Sequence, residues 1–186
     1  MTVQILRKKF TVGQYHQMIE SGILTDRDRV ELLQGEIIEM SPIGMQHAAC
    51  VDRLTELLVE TLRGKAIVRV QNPIQLSTRS EPQPDFAILK RRSDFYASGH
   101  PQPQDVFALV EVSDTTIEFD RTVKVPLYAK DNIAEVWIVD LNAEAVQIYR
   151  QPSTTGYQQV QTLRRGQSLT FQAFTDIQFT IVQLLG

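Results

Sequence analysis

Val106-Phe107-Ala108-Leu109-Val110-Glu111-Val112 decides the fold: six of its seven side chains are apolar, and so short a valine-rich run reads as a strand covered on both faces. Glu111 interrupts it. A carboxylate in such surroundings demands a cation, hydrogen bonds or a raised pKa. Two comparable runs precede it, Ala66 to Val70 and Phe86 to Leu89, set apart by stretches containing Pro73, Pro82, Pro84, Pro101 and Pro103. Together these are expected strands of one mixed sheet. Asp85, between Pro84 and Phe86, brings a second carboxylate to the border of an apolar strand. Neighbouring strands that each present one carboxylate at corresponding depth hold them a few ångströms apart. That arrangement suits a hard divalent cation with oxygen ligands, to which a backbone carbonyl such as that of Val112 adds another.

Upstream, Ala48, Val51, Leu54, Leu58 and Leu62 recur every three or four residues, so His47 to Leu62 is expected as a long amphipathic helix. Arg29 to Leu33 and Glu36 to Met40 flank Gln34-Gly35, the signature of a β-hairpin. Thr11 to Ser21 reads as an opening helix with Thr11 as N-cap and Gly22 as its stop. Downstream, Asp120 to Lys130 is expected to be helical. Glu135 to Asp140 and Ala145 to Arg150 alternate as a strand pair across Leu141-Asn142-Ala143-Glu144. The last third, with Tyr157 to Leu163 strand-like and an apolar Ile177 to Leu185, reads as a sheet extension and closing segment. The core order is helix, three strands, helix, strand, strand.

The 186 residues, 42% hydrophobic, suit a single domain over 1–186. A formal net charge of -3 supplies no global cationic field for nucleic acid, although a local basic patch or a bound metal ion can still hold a polyanion. One cysteine, Cys50, excludes an internal disulfide framework and any multi-cysteine metal cage, and fits the cytoplasm. Arg7, Lys8 and Lys9 lie near the N-terminus with no apolar stretch after them, and no run of about 18 apolar residues occurs, so neither an export signal nor a membrane span is expected.

Lys124 is the cation after Glu111 best placed to enter the site, with Tyr128 one helical turn on and on the same face. In metal-assisted phosphodiester hydrolysis a lysine beside the ion orients the attacking water and offsets charge on the phosphate. Asp85, Glu111 and Lys124 form a chemically complete minimum for that reaction.

Pro84-Asp85, Val110-Glu111-Val112-Ser113, Lys124 with Leu127-Tyr128-Ala129, and Glu135-Val136-Trp137-Ile138-Val139-Asp140 resemble the Uma2 family of restriction-endonuclease-like proteins, also called DUF820 and abundant in cyanobacteria. Arg29 to Ile37 is similar to that family's N-terminal hairpin, and His47 stands where its long helix begins. The resemblance implies an α/β (α+β) fold of the PD-(D/E)XK restriction-endonuclease-like type: a central mixed β-sheet flanked by helices, with an N-terminal helix and β-hairpin. It departs from the standard motif at Ser113, which occupies the position of the usual lysine. By resemblance that role passes to Lys124 on the following helix, although Pro126 two residues on requires the helix to start near Thr122 or to kink.

Each candidate has a structural alternative. Asp85 suits a turn at a strand entrance, and Glu111 a buried ion pair with an arginine. Lys124 suits a solvated helix face. Glu36, and with less support Glu31, suits either a further catalytic acid or the solvent side of the hairpin. His47 suits a proton carrier, a phosphate ligand or a helix start. A Cys50–His47 nucleophile lacks an acid to orient the imidazole, leaving Cys50 a packing residue. Tyr128 and Trp137 read as core. Lys90-Arg91-Arg92, Arg121 and Arg164-Arg165 are candidate backbone contacts for nucleic acid.

The reading that follows is an endonuclease acting on DNA with Mg2+ or Mn2+ held by Asp85, Glu111 and the Val112 carbonyl, assisted by Lys124, with Glu36 and His47 as further catalytic candidates. Cutting two strands with two-fold symmetry makes a homodimer the expected assembly. The rival readings are a DNA-binding module on the same fold that does not cut, and a metal-dependent phosphoesterase with another substrate.

Overall fold

The computed structural model describes residues 7–25 and 27–186; Met1 to Leu6 of the N-terminal stretch read above lie outside them. Thr11 caps helix α1 (Val12–Glu20) through a reciprocal capping box with Gln14. The hairpin strands β1 (Val30–Leu33) and β2 (Glu36–Glu39) turn at Gln34 and Gly35, both with positive φ. At Gly35 a Cβ would meet the Phe10 carbonyl oxygen at 2.9 Å, so glycine is required by space as well as by conformation.

Helix α2 (Met45–Thr61) has no side-chain cap at Gly44. Its hold comes from burial of Leu54 and Leu58, with Leu62 just beyond, each contributing about 1.5–3 kcal/mol. That packing fixes the first turn, which carries His47.

Strands β3 (Ile67–Val70), β4 (Phe86–Leu89), β5 (Val106–Ser113), β6 (Glu135–Asp140), β7 (Ala145–Ser153) and β8 (Gly156–Arg164) pair in that order as one six-stranded sheet. Every pair is antiparallel except β5 with β6. A parallel pair needs a crossover. It is supplied by helix α3 (Ile117–Phe119), a π-helical turn over Asp120–Lys124 and helix α4 (Val125–Lys130). The mixed sheet flanked by helices matches the expected fold class.

Alternation along β5 sorts the core. Ala108, Val110 and Val112 face the layer of α2, with Leu54, Leu58 and Trp137. Leu109 faces the opposite layer, with Leu127 and Tyr128 of α4. Glu111 lies on the Leu109 side, beneath the crossover. Val12, Tyr15 and Leu32 join α1 to the hairpin in a third, smaller cluster.

The closing third departs in detail from the expectation. Only β8 extends the large sheet, while β9 (Ser168–Phe171) and β10 (Phe174–Thr180) form a separate two-stranded sheet. Phe171 stacks on Trp137 with ring centroids 3.8 Å apart. Ile177 to Leu185 is therefore not one segment: Thr180 ends the strand and caps helix α5 (Ile181–Leu185).

Candidate functional site

Continuing the β4–β5 register one step beyond Phe86↔Val110 sets Asp85 opposite Glu111. Each carboxylate accepts a backbone N–H from the opposite strand. Glu111 Oε2 accepts the Asp85 N–H at 3.4 Å, and Asp85 Oδ2 accepts the Val112 N–H at 2.8 Å. Gln71 Nε2 donates to Asp85 Oδ1 at 3.0 Å, and His47 Nε2 lies 3.2 Å from the same carboxylate. His47 reaches it because α2 begins two residues earlier, at Met45, which places the imidazole in the first turn.

Lys124 Nζ lies 3.3 Å from Glu111 Oε1 and 3.6 Å from Glu31 Oε1, and all three side chains are buried. The Tyr128 hydroxyl donates to Glu111 Oε1 at 2.5 Å. Glu31 Oε2 in turn accepts the Gln83 N–H at 3.0 Å, tying the hairpin to the segment that leads into Asp85.

The π turn explains how Lys124 arrives there beside a proline. Pro126 has no N–H, and its ring crowds the carbonyl four residues back, that of Thr122. Widening the preceding turn, with the Val125 N–H bonded to the Asp120 carbonyl five residues back, lets the helix continue across it. Ser113, in the position of the usual lysine, donates to Asp120 Oδ2 at 2.7 Å, and Thr116 donates to the same oxygen at 2.8 Å. Ser113 thereby anchors the turn that delivers Lys124.

The electrostatics separate the two acids. Burial pushes Glu111 up to about 8, with Lys124 opposing and Asp120 and Asp85 adding to the rise. Burial also acts to raise Asp85, but the hydrogen bonds from His47, Val112 and Gln71 hold it below the ordinary carboxylate value. Burial works against the Lys124 ammonium, yet Glu111 and Glu31 outweigh it and the pKa rises. His47 is raised chiefly by its bond to Asp85, against the effect of burial.

These groups line a cleft of about 780 Å³. Seven carboxylates (Asp28, Glu31, Glu39, Asp85, Glu111, Asp114 and Asp120) face it, against two strongly basic side chains, Arg29 and Lys124. Such a cleft repels a polyanion and attracts divalent cations. Its hard oxygen donors, one of them short of positive charge, are the donor set that Mg2+ or Mn2+ takes.

A model of the Uma2 family, described as "Putative restriction endonuclease", matches residues 12–182. The chain belongs to the Uma2 family. It is also similar to a crystal structure from Anabaena variabilis ATCC 29413 described as "a putative nuclease belonging to DUF820". The TM-score is 0.72 at 12% identity, covering 95% of this chain and 97% of that one. At that identity the likeness is one of fold. No curated protein matches the chain.

Within this Uma2 chain the structure gathers Asp85, Glu111, Lys124, His47 and Val112. Val112 joins the group through its N–H, donated to Asp85, while the part expected of its carbonyl is that of an ion ligand. The structure does not bring Glu36 to the group. Glu36 sits at the turn end of the hairpin, 2.8 Å from Lys9 Nζ and 3.6 Å from Arg7 Nη1, because the turn opens toward the basic N-terminal stretch. Glu31, ranked below it from sequence, is the hairpin acid that faces Lys124.

Lys90-Arg91-Arg92 follows the end of β4 opposite to Asp85, and Arg92 pairs with Asp94 at 2.6 Å and lies over the Tyr96 ring. Arg121 is held by Asp140 at 3.0 Å, Arg165 by Glu144 at 3.1 Å. Cys50 is buried, its thiol directed at the Leu184 carbonyl. Trp137 is core, as its pattern suggested. Tyr128 is core and a hydrogen-bond donor to Glu111 as well, in keeping with its place one helical turn on from Lys124. Gln71 carried no signal in sequence beyond its place after a strand. No described helix is long and apolar enough to cross a membrane.

Proposed function

We propose that this Uma2 chain is an endonuclease that hydrolyses DNA phosphodiester bonds with Mg2+ or Mn2+, working as one domain. The observation that carries this reading is the meeting of Asp85 and Glu111 from adjacent strands, with the Lys124 ammonium 3.3 Å from Glu111, inside an acidic cleft. Asp85, Glu111 and the Val112 carbonyl would hold the ion. When bound, the ion supplies Lewis acidity toward the scissile phosphate and makes a nearby water more acidic.

The chain's own groups do the rest. Lys124, fixed between Glu111 and Glu31, is positioned to hold the attacking water and to offset charge growing on the phosphate. His47, with its pKa raised by Asp85, is a candidate to deliver a proton to the leaving oxygen. A cytoplasmic homodimer that places two such clefts on two strands is the assembly we favour.

Lys90 and Arg91, exposed and outside the acidic cleft, favour a second reading, a nuclease-fold module that binds DNA without cutting it. Incubating supercoiled plasmid with Mn2+ and the wild type, Asp85→Asn or Lys124→Ala separates the two. Nicking by the wild type alone is expected. Equal nicking by all three proteins defeats the assignment, and salt-sensitive binding without product under any ion supports the module.

A further inference from the structure

A second group of ligating side chains lies outside the cleft. His16, on α1, places Nε2 2.8 Å from Glu81 Oε1 and 3.1 Å from Oε2. His100, just before Pro101, brings a third ligating atom, so that one from each residue lies within 4.8 Å of the others. The two imidazoles meet edge to face with centroids 6.2 Å apart. Glu81 is 4% exposed and is fixed by its backbone, whose N–H donates to the Leu32 carbonyl at 2.7 Å.

We infer that His16, Glu81 and His100 form a zinc site distinct from the Asp85–Glu111 cleft. Two imidazole nitrogens and one carboxylate are a borderline donor set, which favours Zn2+ over the hard ions suited to an all-oxygen site. Four-coordinate zinc, with bonds of about 2.0–2.2 Å, sets neighbouring ligand atoms about 3.3 Å apart. The His16–Glu81 distance already approaches this spacing, and zinc would draw the His100 nitrogen in from within 4.8 Å, leaving a fourth position to water.

The three ligands come from separate parts of the chain: the N-terminal helix, the segment four residues upstream of Asp85, and the loop ahead of β5. Zinc there clamps α1 onto the frame that carries the cleft. This inference does not depend on the nuclease reading.

The test uses full-length Asp85→Asn protein, chosen to weaken any metal binding in the cleft, stripped with chelator and dialysed against Zn2+. One zinc per chain is expected by elemental analysis, with affinity falling more than about tenfold on adding His16→Gln or His100→Gln. Cobalt in its place should give the intense visible absorption of a four-coordinate site. Zinc should also shield His16 and His100 from diethyl pyrocarbonate, read peptide by peptide, a measurement that needs no ligand substitution. No retained zinc, zinc retained undiminished in both ligand variants, or modification unaffected by zinc overturns the inference.

Discussion

Glu111 on β5 and Glu135 at the start of β6 are both buried glutamates on central strands, yet they are held in different ways. Glu135 is completely enclosed. Its Oε1 accepts from Trp137 Nε1 at 2.8 Å and from Arg150 at 2.7 and 3.0 Å, and its Oε2 accepts the Gln172 N–H at 2.6 Å. Each oxygen is satisfied, and the residue does not line the cleft. Glu111 has an ammonium at 3.3 Å, a phenol and a long backbone bond, and it faces the cleft with its pKa pushed up to about 8. A buried carboxylate completed by the protein is structural. One whose burial the protein offsets only in part, and which adjoins open space, is suited to receive an ion.

That contrast is broken or sharpened first by Glu135→Gln. Removing one member of a buried pair leaves the Arg150 guanidinium with an incomplete partner, and a loss of about 3–5 kcal/mol in unfolding free energy is expected from denaturant titration. Glu111→Gln should cost less, since Lys124 retains Glu31 at 3.6 Å. Equal losses would show that the two glutamates do the same work. Activity should order them the other way. Glu111→Gln is expected to lower plasmid nicking by at least about 100-fold, while Glu135→Gln, assayed where it remains folded, stays within a few-fold of wild type. A nicking-competent Glu111→Gln protein would remove the distinction.

The same two residues show how far the sequence can be read. Glu111 and Asp85 were legible because a charge beside an apolar run is conspicuous, and the strands followed from the same runs. Gln34-Gly35 gave the hairpin, and the leucine spacing gave α2. Glu135 was less legible as a buried ion pair, since its partner Arg150 lies on the next strand and Gln172 lies far along the chain. Glu36 was favoured over Glu31 because alternation on a short hairpin cannot say which end meets the crossover. The π turn at Asp120–Lys124 left one trace, Pro126, which signalled an irregular helix without giving its form. Gln71 was invisible, as its side chain matters only once β3 and β4 pair.

Titration gives a finer probe of the open site. Below about pH 8 the metal-free Glu111 carries a proton that an incoming Mn2+ must displace. Affinity is therefore expected to rise about tenfold per pH unit from pH 6 and to level off above about 8, as read by calorimetry. In Glu111→Gln most of that rise should vanish, leaving what His47 beside Asp85 contributes, while Glu135→Gln should keep it in full. A wild-type profile flat across this range would mean that Glu111 is already ionised without metal.

The smallest expected effect distinguishes the two donors on these glutamates. Tyr128 donates to Glu111 and so acts to lower its pKa. Tyr128→Phe removes that bond to the charged form, raises the Glu111 pKa further, and should move the midpoint of Mn2+ binding to higher pH by about one unit. Trp137→Phe removes the equivalent bond to Glu135. It should lower stability through the lost hydrogen bond and altered stacking on Phe171, with no shift in the metal profile. A shift in both variants would mean that the strands transmit the perturbation together. A shift in neither would mean that the phenol belongs to the core alone, as its helical spacing suggests.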